Sequence, residues 1–250
     1  AVAADPRGVA AGIGALRADA RARARRPGAA RPRPVPHGIA GAHDEDRAKG
    51  LLDRLGIATP ARRVCGSRAE AHAALAELGG PVAVKILDAT VSHKTEVGGV
   101  HLGIAGPARL DAALDRLDAI GADRYLVERM APSGVDLVLG ARRDPVFGPI
   151  LLLGLGGTTA EALADVAIRL APLAPQEAAE MPAELAGRAL LDGWRGGPVL
   201  DTAALGGVVS ALGDLLVANP RLDEIEVNPL RLTHDGLVAL DAVVITREAD

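Results

Sequence analysis

Helix-like and strand-like stretches succeed one another along the chain, and glycine, proline and small polar residues mark their ends. Residues 43–55 read as a helix stopped by Gly56, with Pro60 beyond it. Residues 61–65 read as a short strand. Ser67 then caps a helix through Leu78, with Glu70 placed to complete a capping box and Gly79-Gly80 to stop it. The run PVAVKIL at 81–87 is a predicted strand, and 88–99 a long polar loop. A strand over 100–104 and a helix over 107–120 follow. Strands are predicted at 124–130 and 135–141, joined by a Pro-Ser-Gly turn, and at 149–153, running into a glycine loop at 154–157. Helices are expected over 159–165, 175–190 and 202–217. A closing hairpin pairs 224–232 with 237–245 around a turn at 233–236. This order predicts an α/β chain with mixed strand connections, not strict βαβ repetition.

Residues 1–42 depart from the pattern. They hold eight Arg and two Asp, a net +6, which leaves −10 for the rest of a chain whose total is −4. The stretch 9–26 is rich in Ala and Arg and reads as a solvated helix. PGAARPRPVP at 27–36 is too proline-rich for a helix or central strand and reads as an extended linker. The expectation is the tail of a preceding domain followed by its linker.

Composition removes several classes. The 250 residues are 49% apolar and 24% charged, a globular balance. No apolar run approaches the roughly 20 residues that span a bilayer. The one cysteine, Cys65, excludes a disulfide framework or a multi-cysteine zinc site, and reads as a small core residue. Three aromatic residues are too few for a single-stranded nucleic-acid platform, and a net charge of −4 argues against a phosphate-backbone binder. The expectation is a cytoplasmic protein that meets neither nucleic acid nor membrane.

The cations are 25 Arg against three Lys: Lys49, Lys85 and Lys94. Where Arg serves nearly everywhere, a surviving Lys marks a place that needs a compact ammonium. Lys85 and Lys94 lie nine residues apart in one segment; Lys49 and Asn219, one of two Asn, carry no assignment. Lys85 sits inside an apolar strand, and a buried Lys needs an anion, so it reads as a cation aimed into a cleft. The loop VSHKTEVGG places His93, Lys94, two hydroxyls and Glu96 before Gly98-Gly99, whose N–H groups could face a phosphate. It is not the P-loop pattern. An imidazole there is nucleophilic near neutral pH and suited to carrying a phosphoryl group.

The closing hairpin is the most geometric signal. Period two sets Glu224, Glu226 and Asn228 on one face, with Ile225 and Val227 opposite. A turn centred between His234 and Asp235 pairs position 228 with 241. A two-residue Asp235-Gly236 turn shifts the pairing by two and leaves both on one face. In either register Asn228 and Asp241 lie within reach of one ion, and a carboxylate plus an amide oxygen, completed by phosphate oxygens, suits Mg²⁺. Pro229 removes a mid-strand donor and predicts an edge or a bulge. Glu128 and Asp136 flank the Pro-Ser-Gly turn, where a ribose could be held. His101 is a further candidate for the neighbourhood of the site.

The segments PVAVKIL, SHKTEVGGVHLGI, YLVERMAPSGVDLVLGARRDPVFGPILLLGLGG, RLAPL, LLDGWRG and EIEVNPL…VALDA stand in the order found in the ATP-grasp part of NDP-forming acyl-CoA synthetases. That family includes ADP-forming acetate–CoA ligases and succinyl-CoA synthetase β subunits, and the chain resembles it over about 44–247. The resemblance implies an ATP-grasp fold of two α/β lobes with nucleotide between them, the small lobe at 44–127 and the large at 128–250. Residues 1–42 would match the tail of a preceding CoA-ligase domain. The implied reaction is acyl-CoA + ADP + phosphate ⇌ acid + CoA + ATP through a phosphohistidine relay. ATP/ADP and Mg²⁺ would be the cofactors, and the partner a CoA-binding domain or subunit carrying the first phosphohistidine. Lys85 matches the lysine on the nucleotide phosphates, His93 the second phosphohistidine, and Glu128 the hinge acid near adenine and ribose. Asn228 and Asp241 match the Mg²⁺ pair. Lys94 and Met130 join the nucleotide set, and Glu226 the metal set. Asp136 stands where the family usually has Glu, a shorter arm toward ribose or metal. Gly156 and Gly157 match a loop facing the partner domain; Thr158-Thr159-Ala160 departs from the family's bulkier pattern, and Glu161 is kept. Two other readings are a nucleotide-sensing regulatory domain of a protein lysine acetyltransferase-type fusion and a free-standing ATP-grasp carboxylate ligase.

Overall fold

The computed structural model describes residues 34–91, 94–156 and 165–247. Two antiparallel sheets organise them. Helix α1 (Glu45–Arg54) leads into β1 (Arg62–Cys65), α2 (Arg68–Leu78), β2 (Val82–Ile86), β3 (Val100–Ile104), α3 (Pro107–Ala119) and β4 (Tyr125–Arg129). These four strands form the first sheet in the order β1-β4-β2-β3. Val84 and Val127 on one of its faces pack with Ala71 of α2 and Leu110, Leu114 and Leu117 of α3. Cys65 is buried in this core, and burial pushes its thiol up to about 11, so it is inert near neutral pH. Ser67 caps α2 by accepting from Glu70 N at 3.2 Å; the Glu70 carboxylate returns to Gly66 N at 2.8 Å.

The second sheet holds β5 (Val135–Asp144), β6 (Gly148–Leu155), β7 (Val166–Leu170), β8 (Leu222–Thr233), β9 (Gly236–Ala239) and β10 (Ala242–Thr246). Its order is β10-β8-β5-β6-β7, with β9 also on β8. Leu137, Leu139, Leu151, Leu153, Ile225 and Val227 face the core, where helix α5 (Thr202–Ala218) lies across them. Helix α1 precedes the first sheet in the chain, yet its apolar stripe of Ala48, Leu51 and Leu52 enters this second core. The chain before it is tied down as well. Val35 and Ile39 are core residues, and Asn219 beyond α5 holds them in place. Its Nδ2 donates to Pro36 O at 2.9 Å and Leu215 O at 2.8 Å, and its Oδ1 accepts from Ile39 N at 3.3 Å.

Four expectations change. The Pro-Ser-Gly segment is not a hairpin turn, because β4 lies in the first sheet and β5 in the second. It is the crossing between them, and a Cβ on Gly134 would stand 2.0 Å from Leu232 O, so only glycine passes there. Strand β7, which pairs with β6, has no counterpart in the periodicity reading, and the expected helix over 159–165 falls almost wholly on residues outside those described. The expected helix over 175–190 breaks after α4 (Pro175–Ala178) into two 3₁₀ turns at Met181–Glu184 and Arg188–Leu191. Pro182 has no N–H to continue the α-helical ladder. The return strand 237–245 is interrupted at Leu240–Asp241 and continues as β10.

The hairpin register is the first of the two alternatives. Leu230 faces Ala239 and Val227 faces Ala242, which sets Asn228 opposite Asp241, with Asn228 N donating to Asp241 O at 3.3 Å. Pro229 lies at a bulge and not at an edge: β8 is an interior strand, and its register against β5 slips between Leu137 and Leu139.

Replacing Asn219 with Ala should leave Ile39 N, Pro36 O and Leu215 O without their partner. We expect a loss of about 2–3 kcal/mol in urea unfolding of the chain. An unchanged midpoint would show that Asn219 does not anchor the segment before α1.

Candidate functional site

Helix α1 supplies the centre of the site. Asp44 caps it by accepting from Arg47 N at 3.0 Å, which leaves Glu45 in the first turn and Lys49 one turn later on the same side. The apolar stripe of α1 is in the second core, so both charged groups are carried under the surface with it. Lys49 is 0% exposed and Glu45 4%. Lys49 Nζ pairs with Glu45 Oε1 at 2.8 Å and with Glu128 Oε2.

Strands β2 and β4 bring the next pair. Lys85 faces Leu126, and Glu128 faces Ala83, so Lys85 and Glu128 are diagonal neighbours on one face. Lys85 Nζ lies 2.6 Å from Glu128 Oε1 and 2.6 Å from Glu45 Oε1, and donates to Leu240 O at 2.8 Å. That carbonyl is available because its neighbour across the ladder, Pro229, has no N–H; Leu240 N does donate to Pro229 O at 2.9 Å. Lys94, in the loop after β2, completes the set with Asp241 Oδ1 at 3.1 Å and Glu45 Oε2 at 3.2 Å.

All three lysines of the chain thus meet three carboxylates, Glu45, Glu128 and Asp241, in one buried network. Its formal charges cancel, which is the condition for burying so many. Burial pushes the Glu45 carboxyl up, but Lys85, Lys49 and Lys94 outweigh it and hold the group well below the usual carboxylate range. Burial lowers Lys85, and Glu45, Glu128 and Asp241 more than reverse that, so it stays charged. For Asp241, burial and the neighbouring Glu45 raise the pKa against the pull of Lys85 and Lys94.

Beside the network opens a cleft of about 420 Å³, lined by Lys94, Glu96, Glu224, Glu226, Asn228 and Asp241 among others. Glu226 and Asn228 stand on the face of β8 opposite its core residues, and Asn228 Nδ2 donates to Glu226 Oε1 at 3.2 Å. Asp241 Oδ1 also accepts from Ala242 N at 2.8 Å. Two carboxylates and an amide make a hard-oxygen set suited to Mg²⁺. The Lys94 ammonium on Asp241 shows that a cation is accommodated there. Among the described residues no three His, Cys, Asp or Glu gather to hold a metal, so a cation here would draw further oxygens from a ligand or water.

The other expected residues fall as follows. Glu128 is 3% exposed, with one oxygen on each of two lysines. Met130 follows β4 and its N–H donates to Pro81 O at 3.1 Å. Asp136 makes a two-pronged pair with Arg231, at 2.6 Å and 2.9 Å, across the β5–β8 ladder. Gly156 N donates to Asp136 O at 2.7 Å, and a Cβ on Gly156 would lie 3.0 Å from Asp136 C. His93 and Gly157 lie outside the described residues. His101 pairs with Val84 on the helix-covered face of the first sheet, where burial and Arg116 lower its pKa; it is away from the cleft. Glu45 and Lys49 were not singled out from sequence. The signal for Lys49 was its membership of the three surviving lysines.

A family model for the ATP-grasp domain matches residues 39–246. The chain is an ATP-grasp domain. It is 33% identical over 210 residues to the β subunit of ADP-forming acetate–CoA ligase I from Pyrococcus furiosus, covering 80% of this chain and 90% of that subunit. It is 34% identical over 217 residues to trans-feruloyl-CoA synthase FCS1 from an unknown prokaryotic organism, covering 83% of this chain but 31% of the synthase. The chain therefore spans nearly the whole of the β subunit and about a third of the synthase. Among solved structures, acetyl-coenzyme A synthetase 1 of Candidatus Korarchaeum cryptofilum, in complex with coenzyme A and Ca-AMPCP, superposes with a TM-score of 0.76 at 33% identity, covering 82% of this chain and 93% of that one. The same synthetase with Mg-AMPPCP, its phosphohistidine segment pointing towards the nucleotide site, superposes at 0.70. The domain thus belongs with the ATP-grasp parts of ADP-forming acyl-CoA ligases.

Replacing Lys49 with Met should leave Glu45 and Glu128 short of a counter-charge and cost about 3–5 kcal/mol. The pH dependence has a definite sign. Glu45 is held below its ordinary value of 4.5 in the folded chain, so the folded state binds fewer protons. Its contribution is whole above that value and is lost as pH falls through the folded pKa. Asp241, raised above its ordinary 3.8, contributes less as pH climbs past that value. Urea unfolding between neutral and acid pH should show the acid-side loss in wild type and a smaller one in Glu45→Gln. Equal acid slopes would remove Glu45 from the centre of the network.

Proposed function

We propose that this domain is the nucleotide-binding and phosphoryl-transfer part of an ADP-forming acyl-CoA synthetase catalysing acyl-CoA + ADP + phosphate ⇌ acid + CoA + ATP. The observation that carries the reading is Lys94 at the edge of the cleft that Asp241, Asn228 and Glu226 line, with Lys85 buried just behind it and joined to it through Glu45. Cations for phosphate and oxygens for a metal are side by side there. The β-subunit relative and the nucleotide complexes of the Korarchaeum synthetase support it.

In this reading Asp241 and Asn228, with Glu226, hold Mg²⁺. When bound, that ion neutralises phosphate charge and orients the phosphates. Lys85 and Lys94 turn their ammonium groups to phosphate oxygens. With so few aromatic rings in the chain, adenine rests against aliphatic walls and the backbone around Glu128 and Met130. Glu128 acts chiefly through the lysines it holds. Asp136 reaches a ribose only by giving up Arg231. His93 is the covalent relay: its ring nitrogen takes a phosphoryl group from a histidine on a CoA-binding domain or subunit. The N–P bond then breaks as a β-phosphate oxygen of ADP forms the new O–P bond, giving ATP and free His93. The loop with Gly156 and Gly157 faces that partner. A lone free cysteine is in keeping with a cytoplasmic setting.

Incubation of the chain with γ-labelled ATP and Mg²⁺ should give acid-labile, base-stable phosphate on the protein, and His93→Ala should abolish it. Label that survives this substitution would remove His93 from the relay. Lys85→Met and Asp241→Asn should each weaken Mg·ADP binding by about tenfold or more in calorimetry. Unchanged binding in both would sink the nucleotide reading.

A further inference from the structure

Lys94 occupies an unusual place between two anions. Its ammonium stands 3.1 Å from Asp241 Oδ1 and 3.2 Å from Glu45 Oε2, and its side chain is 5% exposed. It donates a hydrogen bond to Asp241. Glu45 Oε2 is buried and accepts no hydrogen bond among the described residues, although the ammonium is next to it. A buried acceptor left unbonded is costly, and here the missing donor stands one small rotation away.

The backbone of Lys94 is held independently of its side chain. Gly99 N donates to Lys94 O at 2.7 Å, and a Cβ on Gly99 would collide with Ile86 Cγ2 at 2.6 Å, so glycine keeps this turn closed against β2. The ammonium, on its four-carbon stem, can move while the turn stays in place.

Asp241 is shared property. It faces the cleft with Asn228 and Glu226, the oxygens suited to a divalent ion, yet its Oδ1 is engaged by Lys94. An ammonium and a divalent cation cannot both sit about 3 Å from one oxygen without strong repulsion. Asp241 is already matched within the network by Lys94, so a metal entering alone must displace that ammonium and draws fresh negative charge only from Glu226 and its cleft neighbours Glu224 and Glu96. A metal entering with a diphosphate brings its own compensation.

The geometry points to Lys94 as an exchangeable internal counter-ion: it fills the cation position at Asp241, and on arrival of a divalent ion it leaves Asp241 for the vacant acceptor Glu45 Oε2. This rests on the reading of Asp241 as a metal ligand. The consequence is that an empty site holds metal poorly, and that metal and nucleotide enter together. The ammonium released from Asp241 remains at the cleft edge, where the phosphates arrive.

Two measurements on the chain test this. The first follows free Mn²⁺ by its electron paramagnetic resonance. Lys94→Met should tighten the binding of Mn²⁺ alone by roughly tenfold, and ADP should enhance Mn²⁺ affinity less in the variant than in wild type. Unchanged or weaker Mn²⁺ binding in a folded Lys94→Met chain overturns the exchange. Absence of Mn²⁺ binding in both wild type and Lys94→Met even with ADP present, or binding indifferent to Asp241→Asn, overturns the metal reading and the exchange with it. The second is read on wild-type protein, with a conservative variant needed only for assignment. With ¹⁵N at the side-chain nitrogen of lysine, three signals are expected, one per lysine, and Lys94→Arg assigns the one in question. Titration with Mg²⁺ should move the Lys94 signal and leave Lys49 nearly unchanged. A Lys94 signal that stays still as the Mg²⁺ site fills overturns the proposal.

Discussion

One carboxylate, that of Glu45, touches every lysine in the chain, and the arrangement of the rest of the domain is legible from it. Helix α1 carries Glu45 and Lys49 while packing its apolar side into the core of the second sheet. Lys85 and Glu128 come from the first sheet, Lys94 from the loop beyond it, and Asp241 from the junction of β9 and β10. Buried charges at this density are tolerated only when each is matched, and a mismatch of one leaves an uncompensated ion in low dielectric. The network therefore constrains both sheets to one relative placement, and it holds ready the cations that an anionic ligand needs.

The hairpin of β8 and β9 shows how a single backbone feature serves that network. Pro229 gives the strand a bulge and denies Leu240 its ladder donor. The carbonyl so released accepts from Lys85. The same register sets Asn228 across from Asp241 and turns Glu226 toward the cleft. A residue that would weaken an ordinary interior strand is here part of how Lys85 is held on the backbone beside Asp241, behind the cleft.

Much of the fold was legible because it follows local rules. The cap at Ser67, the strand around Lys85 and the helix over 202–217 follow from capping chemistry and periodicity, and turn geometry narrowed the hairpin to two registers, of which the structure takes the first. The misses are equally instructive. Strand β7 is short, and its larger apolar residues Val166, Ile168 and Leu170 are on the exposed face while the small Ala167 is buried, so its pattern does not mark a core-facing strand. The Pro-Ser-Gly segment has the composition of a hairpin turn, but which sheet the next strand joins is a question of burial across the whole chain. Asn219 looked idle because its three backbone partners are distant or ambiguous in sequence.

By itself the sequence determined the family, the alternation of elements, and the placing of Asn228 and Asp241 on one face, since period-two geometry fixes that in either register; that the two stand directly opposite is the structure's choice. It also marked the lysines as exceptional through their scarcity. Only the tertiary structure decided what they are for: that Lys49 is the innermost of the three, that Glu128 is spent on holding Lys49 and Lys85, and that Asp136 is tied to Arg231. Charge pairing acts over a few ångströms between residues up to 147 positions apart, as in Lys94 and Asp241. No periodicity or local propensity records that distance, and burial alone brings such groups together.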